Sequence, residues 1–78
     1  MELHGAIKIR ILDLCKKNHI TINGLAMLSG MSQSTVNSLV DGTSQNPKLL
    51  TILRLCLGLN IQIKDFFDSD LFIDLDDE

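Results

Sequence analysis

Apolar residues in the first part of the chain recur at intervals of three and four. Leu3, Ile7, Ile11, Leu14 and Cys15 share one side of a helical wheel, with Lys8, Asp13, Lys16 and Lys17 between them. That period predicts an amphipathic helix over about residues 3–18. Thr21 is placed to cap a second helix, and Ile20 before it can pack on Leu25 as a hydrophobic staple. This helix is expected to run to about Ser29 with Leu25, Ala26 and Leu28 turned inward. Gly30 is free to take the positive φ that a tight helix-to-helix turn requires. Ser32 then caps a third helix with Val36, Leu39 and Val40 inward, and Gly42 ends it.

Thr43 to Asn46 read as a polar loop, and Pro47 is expected in the first turn of a fourth helix over residues 48–59. That helix is leucine-rich nearly all round. Leu49, Ile52, Leu53 and Cys56 suffice for a core-facing stripe, and Leu50 and Leu57 lie off it. Gly58 or Asn60 can supply the left-handed residue at its end. A short helical candidate follows at Lys64–Asp68, then L-F-I-D-L, in which apolar and acidic residues partly alternate. The reading is all-α: a compact domain of four to five helices over residues 1–68 and an acidic tail over 69–78.

Composition narrows the class. A chain of 78 residues is one small domain that buries only about 60% of its unfolded surface. Its apolar content is 45%, with three Phe and no Trp or Tyr, which suits an aliphatic core. The longest apolar run, around Leu49 to Leu59, is interrupted by Thr51 and Arg54 and is well short of the roughly 20 residues of a membrane span. The opening M-E-L-H-G lacks the pattern of a signal peptide. Cys15 and Cys56 lie in apolar helical patterns and are expected as buried free thiols in a reducing cytoplasm. His4 and His19 have no metal-ligand spacing around them, and no nucleophile motif or phosphate-binding glycine loop is present. Neither an enzyme nor a metal, cofactor, membrane or small-molecule ligand is expected.

One constellation is more specific. Ala26 lies four positions before Gly30, and Val36 and Leu39 lie six and nine after it. A side chain larger than Ala at 26 would hold the second and third helices apart, and Val36 and Leu39 anchor the third so that its other face projects outward. In L-A-M-L-S-G-M-S-Q-S-T-V-N-S-L-V-D-G, with the downstream Pro47 and the closing L-N-I-Q-I-K-D-F-F, the chain resembles the Cro/C1-type, lambda-repressor-like helix-turn-helix domains. The resemblance covers about residues 7–68. It implies a DNA-binding domain whose third helix enters the major groove of double-stranded DNA. The matching outward positions, Gln33, Ser34, Asn37 and Ser38, are then candidates for base edges; Gln and Asn pair with adenine in two-bond fashion, and Ser serves either role. Ser32, Thr35, Thr43, Gln45, Asn46 and Lys48 are candidates for phosphate.

The chain departs from its relatives at three places. Many begin the second helix with a Gln on phosphate and place a Glu two residues later; here these are Ile22 and Gly24. Many carry basic residues in the loop after the third helix, where this chain has Thr43, Ser44, Gln45 and Asn46 and retains only Lys48. Many bury an Arg on the first helix against a Glu near the end of the third. Here Cys15 and Val40 occupy those positions and are expected to touch, since loss of both charges together preserves the packing.

Charge sharpens the point. The formal net charge is −3, but residues 1–64 hold all seven basic residues against three acids, while residues 65–78 hold seven acids and no base. No Lys or Arg occurs from Asn18 to Pro47, so the segment expected to meet a polyanion is uncharged except for Asp41. Phosphate contact would fall to helix N-termini, hydroxyls and amides, and Lys48, with a shallow salt dependence.

The leading functional expectation is a sequence-specific, repressor-like regulator of transcription. An antitoxin is a variant of it, and a protein-interaction module with weak or lost DNA binding is the competing class. A homodimer is expected, because one recognition helix reads few base pairs and Leu50 and Leu57 lie outside the core stripe. A tail folded back over Leu50 and Leu57 is the monomeric alternative. The acidic tail could also compete with DNA for the cationic surface.

Overall fold

The computed structural model describes residues 1–44 and 46–76. Those residues form five α-helices and no strand: α1 (Leu3–Lys17), α2 (Ile22–Ser29), α3 (Gln33–Val40), α4 (Leu49–Leu59) and α5 (Ile63–Phe67), followed by a 3-10 turn over Asp70–Phe72. Several boundaries have a local cause. Past α1, His19 takes a positive φ of 55°, and the Ile20 N–H closes the helix by donating to the Cys15 carbonyl at 3.0 Å. Thr21 Oγ1 accepts from the Gly24 N–H at 3.0 Å, capping α2. Gly30 ends α2 at φ 66°, and the Met31 N–H returns to the Ala26 carbonyl. Asn60, not Gly58, is the left-handed residue after α4, at φ 58°.

The helices close around one apolar core. It draws Ile7, Ile11, Leu14 and Cys15 from α1, Leu25 and Ala26 from α2, Val36 and Leu39 from α3, Ile52, Leu55 and Cys56 from α4, and Phe66 from α5. Val40 is half-buried against the same cluster as Cys15. Burial pushes both thiols above their ordinary pKa, so neither is primed as a nucleophile. Arg10 ties α5 to α1: its Nε donates to the Phe66 carbonyl at 2.7 Å and its Nη2 to the Asp65 carbonyl at 2.8 Å.

Several expectations need correction. Leu28 is 56% exposed, because α2 faces the core through Ile22, Leu25, Ala26 and Ser29. On α4 the buried stripe is Ile52, Leu55 and Cys56; Leu49 and Leu53 join Leu50 and Leu57 on the exposed side. Pro47 precedes the α4 N-cap, Lys48, instead of lying in the first turn. Gly58 is internal to α4 and meets α2. A Cβ on it would lie 2.5 Å from Ser29 Oγ and 3.0 Å from the Leu28 carbonyl carbon.

The described part of the tail folds back, but not over Leu50 and Leu57. The Phe72 ring packs edge-on to Phe67 with centroids 4.9 Å apart, and Phe67 does the same to Phe66 at 5.0 Å. Beyond it, Asp76 reaches the start of α1: its backbone N–H donates to the Met1 carbonyl at 2.9 Å, and its carboxylate accepts from the Met1 ammonium at 3.0 Å.

Candidate nucleic-acid interface

The third helix is held by its two ends and one face. Val36 and Leu39 are buried, and Val40 is half-buried beside them. On a helix of 3.6 residues per turn, that leaves Gln33, Ser34, Asn37 and Ser38 on the other side. Gln33 and Ser34 are exposed, and Asn37 and Ser38 are half-buried. The four candidates for base edges therefore share one face.

Their hydroxyls are already engaged in part. Ser32 Oγ accepts from the Thr35 N–H at 3.2 Å and lies 2.7 Å from Thr35 Oγ1 and 3.3 Å from Ser34 Oγ. Ser38 Oγ donates to the Thr35 carbonyl at 2.8 Å, which leaves its lone pairs to accept from a base or a water. Ser32, Thr35 and Ser34 thus form a hydroxyl cluster over the start of α3, where the first backbone N–H groups have no partner within the helix. Gln33 and Asn37 are the amide-bearing side chains of the face.

Beyond α3 the chain turns on Asp41, whose Oδ1 accepts from the Thr43 N–H at 2.8 Å. Hydrogen bonding from Thr43, through its side chain and its backbone, holds the Asp41 carboxyl below the usual carboxylate range, and the Lys8 ammonium on α1 adds a smaller effect in the same direction. Thr43, Asn46 and Lys48 are exposed along the following segment; Gln45, the remaining phosphate candidate, lies outside the described residues. Lys48 is the N-cap of α4 and makes no side-chain capping bond. A cleft of about 580 Å³ separates Asn46 and Pro47 from the start of α1, and Asp76 lines it with them.

A further exposed amide, Asn23, stands in the first turn of α2. Periodicity carried no signal for it, since any polar residue suits an exposed first turn. Capped α2, a glycine turn and capped α3, with one face of α3 buried and the other bare, make a helix-turn-helix. The sequence matches the Cro/C1-type HTH DNA-binding domain over residues 10–70. The chain belongs to this family.

A solved structure agrees. The crystal structure of the prophage Lp1 protein 11 is similar at a TM-score of 0.79 and 36% sequence identity, over 88% of this chain and 92% of that one. No curated protein matches the sequence. Among the described residues, no helix is long and apolar enough to cross a membrane. In this Cro/C1-type domain Cys15 lies in the aliphatic core and Val40 packs against it.

Proposed function

We propose that this Cro/C1-type domain is a sequence-specific regulator of transcription, repressor-like, from a bacterium, phage or mobile element. The observation that carries the reading is the exposure of Gln33 and Ser34 on α3 while Val36 is fully buried behind them. In this reading α3 lies in the major groove. Gln33, Asn37, Ser34 and Ser38 address base edges. Ser32, Thr35, Thr43, Gln45, Asn46 and Lys48, with Asn23 added, address phosphates on either side. Two copies on half-sites about 34 Å apart give the specificity that one short helix lacks.

Lys48 supports the phosphate assignment. A cation at a helix N-terminus opposes the helix dipole, and Lys48 offers α4 no capping acceptor. A phosphate seated there would satisfy both the ammonium and the free N–H groups of the first turn.

Selection from a randomised duplex pool, followed by titration across a salt series, tests the reading. A defined sequence should emerge, and Gln33→Ala with Asn37→Ala should lose at least about tenfold in affinity for it while random duplex is bound as before. Enrichment of no sequence would refute the proposal.

A second reading has one observation in its favour: no Lys or Arg stands between Asn18 and Pro47. A surface so poor in cations suits a protein-interaction module with weak or lost DNA binding. The same selection decides, since such a module enriches nothing.

A further inference from the structure

The four outward side chains of α3 differ in what they can still donate. Gln33 and Asn37 carry amides that hold donors and an acceptor together, and either end can meet a base. Ser34 Oγ lies 3.3 Å from Ser32 Oγ in a contact where either atom can be the donor, so it keeps both roles as well. Ser38 does not. Its Oγ donates its single proton to the Thr35 carbonyl at 2.8 Å, one turn back on the same helix, a bond that serine forms readily in helices. The lone pairs left on Oγ can only accept.

We infer that Ser38 is a specificity-determining residue that reads amine against carbonyl in the major groove. Adenine and cytosine present amines there, at N6 and N4, whereas guanine O6 and thymine O4 are acceptors. An amine facing Ser38 donates to the free side of its oxygen. A guanine or thymine sets two acceptors against each other, or else draws the hydroxyl away from the Thr35 carbonyl and forfeits that bond. Nearby groups supply no substitute donor. The Thr35 hydroxyl is engaged with Ser32 Oγ at 2.7 Å, and α3 carries no Lys or Arg, the side chains that commonly pair with guanine. The base that meets Ser38 is therefore adenine or cytosine.

This inference rests on the proposed function and deepens it, by naming the kind of base that one position of the operator holds. It comes from the hydrogen bond and not from the residue type, since a serine with a free proton accepts either kind of base.

Selection from a randomised duplex pool with the wild-type chain and with Ser38→Ala tests it. Ser38 is half-buried and outside the core, so the variant keeps the fold, which circular dichroism and thermal unfolding verify. Wild type should enrich a sequence with one position restricted to adenine or cytosine that Ser38→Ala opens to all four bases. Titration then compares the selected duplex with one lacking the amine at that position, with unsubstituted purine replacing adenine or 2-pyrimidinone replacing cytosine. Wild type should lose about three- to tenfold in affinity, and Ser38→Ala should lose nothing further. A serine that only stiffens α3 would give independent losses instead, because the two changes would then not share a contact. Relaxation at a position that holds guanine or thymine, relaxation at no position, or independent losses would overturn the inference and leave the regulator reading standing. A wild-type chain that enriches no sequence would remove the regulator reading and this inference with it.

Discussion

Ser29 Oγ points into the space that a side chain on Gly58 would fill, 2.5 Å from where its Cβ would stand. The Leu28 carbonyl carbon and the Ser29 nitrogen are each 3.0 Å from the same point. The α2–α4 crossing is therefore a backbone-on-backbone approach. Gly58→Ala should destabilise the fold by about 1–3 kcal/mol, as overpacking does, read by urea unfolding. Ser29→Ala in that background should restore only part of the loss, because the backbone contacts remain. Among the described residues Ser29 Oγ is buried without a hydrogen-bond partner, so Ser29→Ala alone should be neutral or stabilising.

Gly30 presents the opposite case. A Cβ there would meet nothing within 4 Å, so the whole cost of Gly30→Ala lies in holding φ at 66°. That cost is about 1–2 kcal/mol. Gly30→Asn should cost less, since Asn tolerates the left-handed region. Equal losses for Ala and Asn in urea unfolding would mean that space, not conformation, selects glycine.

Lys48→Ser should separate stability from binding. Ser would supply the cap that α4 lacks and stabilise the domain by about 0.5–1 kcal/mol. The same change should weaken binding to all duplexes alike and lower the salt slope by about one. A variant less stable than wild type, or one with unchanged salt slope, would contradict this account.

Asp41 predicts a pH signature. Its folded pKa is depressed, chiefly by hydrogen bonding from Thr43. Its contribution to stability is therefore fully present above the unfolded pKa and fades as pH falls through the folded value. In an NMR titration the Asp41 carboxyl should protonate at lower pH than an ordinary aspartate. Asp41→Asn should flatten that part of the acid limb, and it should tighten DNA binding at low salt by removing a like charge near the phosphates.

The tail can be probed without being cut. Phe72 packs on Phe66 and Phe67, so removing residues 69–78 would disturb the core as well as the charge. Asp74→Asn with Asp76→Asn keeps the packing while lowering the charge beside the cleft that Asn46 and Pro47 border. If the acids oppose DNA, affinity should rise a few-fold at 50 mM salt and return to the wild-type value near 500 mM, where screening is nearly complete over about 4 Å. Equal affinities at both salts would remove the tail from the electrostatics of binding.

The helices and their caps were legible because they rest on local rules. Thr21 and Ser32 cap α2 and α3 through hydrogen bonds within three residues of themselves, and Gly30 needs only its own backbone freedom. The spacing from Ala26 to Leu39 carried the helix-turn-helix, and with it the outward positions of Gln33 and Asn37. The face of α4 was not legible. Leu49, Ile52, Leu53 and Cys56 obey the same interval as Ile52, Leu55, Cys56 and Leu59, so a helix apolar nearly all round fits either register.

The chain alone thus determined where α2 and α3 start and where the chain turns between them, since capping groups and glycine act over three or four residues. Only the tertiary structure decided which side of α4 is buried, that Gly58 serves a helix crossing while Asn60 ends the helix, and that the tail returns to α1. Those outcomes depend on contacts between segments far apart in the chain, such as Gly58 with Ser29 and Arg10 with the carbonyls of α5. The interval between residues holds no record of which distant surface each helix will meet.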